Sequence, residues 1–187
     1  MTRVLIPLAE GSEEMEAVIS IDTLRRAKFE VVVAGISPGV ITCSRGVKIV
    51  PDAPWEKIDP ASFDIIVVPG GTGGVAHLRK DARVLEAVRQ HVRAGKLVAA
   101  VCAGPLVLQD AGVLDGKKAT CHPGVAQELT RANRLNEPVV EDGLVMTSQG
   151  AGTTMAFALA IVRRVIGLEK MTEVARGMVA WEMLGKP

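Results

Sequence analysis

Short apolar runs alternate with longer amphipathic stretches along most of the chain. A short run rich in Val and Ile predicts a strand, and apolar residues spaced three and four apart predict a helix. By this rule strands are predicted at residues 3–8, 29–36, 64–68, 97–101 and 118–121, with hairpins at 40–50 and 138–148. The second hairpin is indicated by Asp142-Gly143, a dipeptide typical of tight β-turns, between two apolar runs.

Helices are predicted between these strands. Their ranges are 12–28, 82–94, 105–111, 125–132, 151–166 and 169–184. Ser12 is the expected N-cap of the first helix. Glu13 and Glu14 fall in its first turn, where carboxylates interact favourably with the helix dipole.

The alternation of strand and helix indicates the fold class. Strands of continuous apolar sequence, each followed by a helix, are typical of an α/β protein whose mostly parallel sheet is covered by helices on both faces. Ligands of such folds bind beyond the carboxyl ends of the strands. The candidate functional residues follow predicted strands in this way: Glu16, Gly70, Gly71, Cys102 and His122. Residues 1–187 contain no linker or repeat and are expected to form one domain.

Composition argues against several classes of function. A net charge of +1, the absence of Tyr and the presence of only three Phe and two Trp argue against nucleic-acid binding. No apolar run approaches the roughly 20 residues of a membrane span, and the run at 4–8 starts too early for a signal peptide. Cys43, Cys102 and Cys121 are odd in number and widely spaced, so neither a disulfide framework nor a zinc site is expected. Free thiols fit a reducing, cytoplasmic compartment.

Cys102 is the strongest candidate for chemistry. It follows the apolar run 97–101, and a helix is predicted to begin at Pro105. A sharp strand-to-helix turn aims the side chain at its apex towards solvent, above backbone N–H groups that stabilise a thiolate and lower the thiol pKa. The alternative is a buried core thiol, the usual environment of a free cysteine. For Cys43 and Cys121 the core alternative is favoured, although Cys43 lies among polar residues that could expose it to oxidation.

His122 and Glu16 are the acid–base candidates. His122 follows a short predicted strand, so it could either pair with Cys102 or simply cap the local backbone. Glu16 is one of three carboxylates in the first turns of a helix, a pattern usually found on a solvated helix face. Next to a thiolate, the same carboxyl could act as a general base or stay protonated and hydrogen-bond the sulfur.

Two glycine-rich turns allow a ligand-binding interpretation. Residues 69–74 follow a strand, but they lack both the Gly-Lys-Ser/Thr ending of a P-loop and the spacing of a dinucleotide fingerprint. They form either a plain tight turn or an oxyanion hole made of backbone N–H groups beside Cys102. Residues 147–153 could bind an anion or cap the next helix. No nucleotide or metal motif is seen, so no cofactor is expected.

Together these motifs resemble the ThiJ/PfpI superfamily, and most closely its deglycase subgroup. The resemblance covers nearly the whole chain and depends on the order and spacing of residues 8–16, 42–46, 67–71, 99–105, 122–123 and 147–153. It implies a flavodoxin-like three-layer sandwich and a homodimer. By position it also implies site roles: Cys102 as nucleophile, Glu16 as the carboxyl partner of its sulfur, His122 as a nearby imidazole, Gly71 and Ala103 as N–H donors to the oxyanion, and Arg45 at the border of the pocket near the dimer interface.

The sequence departs from that family pattern at two positions. Val50 stands where human-type members carry a second cysteine at the dimer interface, so disulfide or metal chemistry is not expected there. Gln149 stands where human-type members carry arginine, and in this respect the chain is similar to bacterial members.

The resemblance and the candidate residues imply a cofactor-independent glyoxalase or protein deglycase. Cys102 would attack methylglyoxal or an early glycation adduct of a protein or thiol, and Glu16 or His122 would move a proton between the two substrate carbons. The alternative is an oxidative-stress sensor or redox-regulated chaperone, in which Cys102 is oxidised to a sulfinate. Turnover of methylglyoxal distinguishes the two hypotheses, because a sensor needs none.

Overall fold

The computed structural model, which describes residues 1–180, has a central sheet of seven strands. In chain order the strands of the fold are β1 (Arg3–Leu8), β2 (Glu30–Gly35), β3 (Ile41–Thr42), β4 (Lys48–Ile49), β5 (Ala53–Pro54), β6 (Ile65–Val68), β7 (Leu97–Val101), β8 (Lys118–Ala119), β9 (Asn133–Arg134), β10 (Val139–Asp142) and β11 (Val145–Ser148). The central sheet has the order β10-β11-β7-β6-β1-β2-β5. Its neighbouring strands are parallel except β10 and β11, so the predicted mostly parallel sheet is confirmed.

Helices cover both faces of this sheet. In chain order they are α1 (Glu14–Arg26), α2 (Thr72–Lys80), α3 (Ala82–Arg93), α4 (Pro105–Asp110), α5 (Thr154–Ile166) and α6 (Leu168–Gly177). Successive strand residues point to opposite faces, so Leu5 packs in the core beneath α2, α3 and α4, whereas Val4 and Ile6 pack beneath α1, α5 and α6. The result is a three-layer, flavodoxin-like sandwich.

The start of α1 differs from the sequence prediction. The helix begins at Glu14, and its N-cap is Glu13, whose Oε2 accepts a hydrogen bond from Glu16 N at 2.7 Å. Ser12, the expected cap, instead accepts a hydrogen bond at its Oγ from Ala9 N at 3.2 Å. Ser12 therefore stabilises the turn between β1 and α1 rather than the helix itself.

One helix is absent from the sequence prediction. Residues 70–74 read as a loop because of their glycines, yet α2 starts at Thr72 and buries Val75 and Leu78 against the sheet. Glycine lowers intrinsic helix propensity by about 1 kcal/mol relative to Ala. Burial of the two apolar side chains offsets that preference.

The predicted helix at 125–132 is wrong. A single 3-10 turn at Pro123–Val125 is followed by turns and bends. The buried Gln109 side chain donates to Glu128 O at 2.9 Å and accepts from Arg131 N at 3.0 Å. These are backbone groups that a helix would bond internally, so α4 holds the segment in an irregular conformation.

The remaining differences concern element ends. Both predicted hairpins are present, as β3–β4 and β10–β11, and the predicted strand at 118–121 is shortened to β8, which pairs with β9 outside the central sheet. The predicted helix at 169–184 corresponds to α6, and positions 181–184 lie outside the described residues. Among the helices of residues 1–180, none has both the length and the apolar character needed to cross a membrane.

Strand order determines which candidate residues meet. β7, β6 and β1 are neighbours in the parallel sheet, so their carboxyl ends share one edge. Cys102 follows β7, Gly70 and Gly71 come shortly after β6, and Glu16 lies in the first turn of the helix after β1. Residues far apart in sequence are thereby brought to one place.

Candidate active site

Cys102 occupies a strained turn between β7 and α4. Its φ is +64°, a left-handed conformation that is uncommon for a residue other than glycine. The backbone on both sides is fixed, because Cys102 N donates to Ser148 O at 3.0 Å and Cys102 O accepts from His122 N at 2.8 Å. The half-buried thiol therefore stands at the apex of a sharp turn held by two neighbouring segments.

Gly104 lets this turn pack against the end of β6. A Cβ at Gly104 would lie 2.7 Å from Val68 O and 2.8 Å from Val101 O. Contacts this short with backbone atoms exclude any side chain. The glycine after Ala103 is thus required by close packing, and the helix begins directly at Pro105.

Glu16 projects from α1 onto the sulfur of Cys102. Its side chain is buried, hydrogen-bonds the Cys102 thiol and accepts at Oε2 from Gly70 N at 2.7 Å. A Cβ at Gly70 would lie 2.5 Å from both Cys102 Cβ and Glu16 Oε2. Only glycine fits at this position while the carboxyl and the thiol stay in contact.

Backbone N–H groups supply the other contacts of the sulfur. Those of Gly71 and Ala103 hydrogen-bond Cys102. Gly71 adopts φ +85°, and a Cβ there would lie 2.5 Å from Gly11 O and from Glu13 N. The glycine-rich turn is therefore packed against the segment that leads into α1, which aims its N–H group at the thiol. The arrangement has the donors that an oxyanion or thiolate requires.

His122 is tied to the same turn through its backbone. Its exposed ring accepts at Nδ1 from Gly124 N at 3.0 Å, which is the capping alternative of the sequence analysis. A Cβ on Gly150 would lie 3.3 Å from His122 Cδ2, so the ring packs over that glycine. Within residues 1–180 no hydrogen bond to the ring Nε2 is found, and an acid–base role for His122 stays a prediction.

Arg45 lies in the β3–β4 hairpin and is exposed. Its backbone N donates to Glu14 Oε1 at 2.8 Å, and its Nη1 donates to Ser44 O at 3.3 Å. Within residues 1–180, no hydrogen bond or ion pair joins its guanidinium to Cys102 or Glu16. Its role at the pocket border stays a prediction.

Glu14 is a structural residue that the sequence analysis did not single out. The carboxylate is buried and accepts hydrogen bonds from Ser44 Oγ at 2.9 Å and from Arg45 N. Burial acts to raise the pKa of Glu14, but its hydrogen bonds outweigh that effect and hold the pKa below its usual value. Glu14 thus fixes the hairpin turn to α1 as an anion, and a first-turn position on that helix was the only signal for it.

Comparison with known proteins places this geometry in a family. The DJ-1/PfpI family model matches residues 2–164. The glutathione-independent glyoxalase DJR-1.2 of Caenorhabditis elegans is 35% identical over 175 residues, which cover 92% of each chain. The chain belongs to the DJ-1/PfpI family.

Further members of the DJ-1/PfpI family agree in fold and differ in length. The crystal structure of Drosophila melanogaster DJ-1beta superposes with a TM-score of 0.92 at 39% identity, covering 95% of this chain and 97% of that one. Protein DJ-1 homolog B of Arabidopsis thaliana is 40% identical over 176 residues, and the match spans 93% of this chain but only 40% of the plant protein.

In this DJ-1/PfpI chain the carboxyl and the thiol titrate as a pair. Burial raises the pKa of Glu16 to about 7, against the opposing effect of its hydrogen bonds with Cys102 and Gly70. Burial and, next to it, the negative charge of Glu16 raise the pKa of Cys102 to about 12, against the opposing effect of the N–H groups of Gly71 and Ala103. The lowered thiol pKa expected from the helix N-terminus is therefore wrong, because burial and the adjacent carboxylate outweigh the backbone donors.

One proton is shared between the two side chains near neutral pH. The pair loses its first proton around pH 7 and holds the second to much higher pH, because two anions in contact repel each other. When the remaining proton lies on Glu16, the carboxyl donates to a thiolate that also faces two N–H groups. Reactivity thus depends on where the shared proton lies.

The other cysteines are core residues. Cys43 and Cys121 are buried, and burial raises the pKa of both thiols, to about 11 for Cys43. The expectation that Cys43 could be exposed is wrong, because it packs in the small core between β1, α1 and the β3–β4 hairpin. Within residues 1–180, no three His, Cys, Asp or Glu side chains form a group that could hold a metal ion.

The second glycine-rich turn caps the 3-10 turn at Ala151–Thr153, which leads directly into α5. Thr153 Oγ1 accepts from Gly150 N at 3.0 Å and hydrogen-bonds Ser148 Oγ at 2.7 Å. The polar groups of Ser148, Gly150 and Thr153 thus satisfy one another. This is the capping alternative of the sequence analysis.

We expect Cys102 to be the only cysteine alkylated rapidly by iodoacetamide near pH 7. Its half-buried thiol shares a proton with Glu16, whereas Cys43 and Cys121 are buried and burial raises the pKa of both thiols. Peptide mass mapping after brief labelling measures this. Faster modification of Cys43 or Cys121 would contradict the assignment of the reactive thiol.

Proposed function

We propose that this protein is a cofactor-independent glyoxalase or protein deglycase. The observation that carries the proposal is the contact of the Cys102 sulfur with the Glu16 carboxyl and with the N–H groups of Gly71 and Ala103. Such a site joins a nucleophile, an acid–base group and oxyanion donors, which are the groups that aldehyde chemistry requires. The relationship to DJR-1.2, which is named a glyoxalase, supports the same reaction class.

The first step is attack of the Cys102 thiolate on the aldehyde carbon of methylglyoxal. A C–S bond forms, the carbonyl π-electrons move to oxygen, and the oxyanion is stabilised by the N–H groups of Gly71 and Ala103. Transfer of a proton to that oxygen gives a hemithioacetal. The Glu16 carboxyl is placed to supply this proton, because it already bonds the sulfur.

The next steps convert the hemithioacetal into lactate. Glu16, now a carboxylate, removes the proton from the carbon attached to sulfur, and the resulting enediolate is protonated on the neighbouring carbon. The product is a lactoyl thioester of Cys102. Water cleaves the C–S bond, releasing lactate and restoring the thiol, so methylglyoxal plus water becomes lactate with no external oxidant. With an early adduct of an amine or thiol, the sulfur of Cys102 would displace that group from the carbinol carbon as the C–N or C–S bond breaks. The group would leave with a proton, and the later steps would be the same.

Lactate formation from methylglyoxal, measured without glutathione, tests the proposal. We expect turnover by the wild-type chain. If no lactate forms at substrate concentrations well above the micromolar range, while Cys102 is still alkylated rapidly, the glyoxalase proposal fails.

A redox role is the second candidate, and the same contacts favour it. A thiolate attacks hydrogen peroxide to form an S–O bond as hydroxide leaves, and a second peroxide gives the sulfinate. Glu16 and the two N–H groups could then hydrogen-bond the sulfinate oxygens. An oxidative-stress sensor or redox-regulated chaperone would show this oxidation without methylglyoxal turnover.

Because all three cysteines are free thiols, we also propose a reducing, cytoplasmic compartment.

We expect the protein to form a homodimer through α1 and the β3–β4 hairpin. Met15 and Val18 on α1 are 54% and 48% exposed, and Val50 after the hairpin is 75% exposed. Burial of such apolar side chains is the usual driving force of association. Light scattering at micromolar concentration should give twice the mass of one chain, and Val18→Asp should shift it towards one chain.

Val165→Asp is the matched control for the dimer. Val165 is also exposed, but it lies near the end of α5 beside Ile65 and Leu97, at the amino ends of the strands, whereas Met15 and Val18 lie in the first half of α1, near the carboxyl ends. Its replacement should leave the mass unchanged. A single-chain mass for the wild-type protein would refute the dimer.

A further inference from the structure

The segment after β11 wraps around the backbone of Cys102. Ser148 O accepts from Cys102 N at 3.0 Å, and Gly150 packs against the ring of His122, whose backbone N donates to Cys102 O at 2.8 Å. Gln149 lies between these two points of contact. Gln149 is thus the residue after Ser148, which hydrogen-bonds the backbone of the reactive cysteine. β7 lies between β11 and β6 in the sheet, and Gln149 is on the β11 side of Cys102.

The Gln149 side chain is paired with a second amide. It is half-buried, and its Nε2 donates to Oδ1 of the exposed Asn136 at 2.8 Å. This is the one hydrogen bond that either side chain makes within residues 1–180. Gln149 Oε1 therefore remains as an acceptor, and the unused N–H groups of both amides remain as donors.

The charges at the site favour a neutral ligand at this amide pair. Above about pH 7 the pair of Cys102 and Glu16 carries one negative charge, and Glu13 lies at the start of the same helix. The amide pair itself adds no positive charge. A carboxylate group on a substrate would therefore be repelled from the sulfur, whereas a carbonyl or hydroxyl oxygen can use the free amide donors and acceptors.

We propose that Gln149 and Asn136 form a substrate-selecting rim of the Cys102 site, which binds a neutral oxygen group next to the carbon that the sulfur attacks and disfavours a carboxylate. In methylglyoxal that group is the ketone oxygen or its hydrate. The assignment deepens the proposed glyoxalase or deglycase function and rests on it for the identity of the substrate. It makes both amides specificity-determining residues.

Alkylation of Cys102 tests the rim without relying on turnover. Iodoacetamide and iodoacetate form the same C–S bond with loss of iodide, but the first is neutral and the second is a carboxylate. The ratio of their rates at Cys102 cancels any change in thiol pKa and reports the charge met by the approaching reagent. Gln149→Arg should raise the iodoacetate-to-iodoacetamide ratio about tenfold at low salt, because residues 149 and 102 directly follow the paired residues Ser148 and Val101 of neighbouring strands, and salt screens a nearby charge only weakly under these conditions.

Two further variants make the alkylation test decisive. Asn136→Lys introduces a cation from the exposed partner of the pair and should shift the ratio in the same direction. Gln90→Arg makes the same chemical change on the exposed face of α3 and should leave the ratio within about twofold of wild type. Unchanged ratios in both Gln149→Arg and Asn136→Lys would overturn the rim.

Steady-state kinetics then test the link to the substrate. Gln149→Leu removes the amide and should raise KM for methylglyoxal about tenfold, the factor that corresponds to one hydrogen bond, with kcat within about twofold. An unchanged KM would contradict a contact with substrate. If wild-type protein forms no lactate while the alkylation ratio responds as expected, the proposed glyoxalase function fails and the rim assignment holds.

Discussion

Replacing Cys102 by serine is expected to lower lactate formation from methylglyoxal by about 1000-fold or more. A serine hydroxyl fits the same turn, but its pKa lies far above that of a thiol, and Glu16 lacks the basicity to ionise it. The hemithioacetal cannot form without sulfur. Initial rates of lactate production by equal amounts of the two proteins measure the effect.

Cys43→Ala is the matched control for this experiment. Cys43 is a buried core thiol with a raised pKa, so its loss should leave kcat within about threefold of wild type. A Cys102→Ser variant that retained a tenth of the wild-type rate would move the nucleophile to another residue. Circular dichroism of each variant shows whether a decrease in rate is caused by unfolding.

Replacing Glu16 by glutamine should separate thiol reactivity from turnover. The amide can still accept from Gly70 N and donate to the sulfur, but it cannot accept a proton. Lactate formation should therefore fall by a factor of about 100 to 10,000, the usual contribution of a general acid–base group. Alkylation of Cys102 by iodoacetamide should persist.

The pH dependence of alkylation gives a second measure of Glu16. In the wild-type protein the rate should rise as pH passes through about 7, where the pair loses its first proton. In Glu16→Gln the carboxylate charge that raises the thiol pKa is gone, so the pKa of Cys102 should fall below about 12 and the rate should follow the titration of a single thiol. Identical pH profiles for the two proteins would contradict a shared proton.

Glu16→Leu provides the harsher comparison. Leucine leaves Gly70 N without its acceptor and gives the sulfur no hydrogen-bond donor. Turnover should be lost, and peroxide should oxidise Cys102 less cleanly to the sulfinate in a mass spectrum. If Glu16→Gln formed lactate at the wild-type rate, Glu16 would not be the acid–base group, and His122 would be the next residue to replace.

The sequence by itself determined the layers of the fold and the place of the nucleophile. A continuous apolar run such as 97–101 can be buried on both sides only in a sheet that has helices on both faces. The α/β class therefore follows from the periodicity of the sequence alone. The strand, the turn at Cys102 and the start of the next helix all lie within ten residues. They are indicated by an apolar run that ends at Cys102 and is followed by Ala-Gly-Pro. Such local patterns can be interpreted correctly from the sequence because they depend on only a few adjacent residues.

Tertiary structure decided what the sequence left open. The role of Glu16 could not be read from spacing, because three neighbouring carboxylates look alike until strand order brings only one of them against Cys102. The same packing raises the pKa of the Cys102 thiol, where the helix N-terminus alone would lower it. Burial and the Glu16 carboxylate both come from residues far from Cys102 in sequence, so the local motif could not reveal them. The segment at 125–132 is irregular for the same reason. The Gln109 side chain from α4 hydrogen-bonds backbone groups of this segment, and the sequence of the segment itself does not indicate that partner.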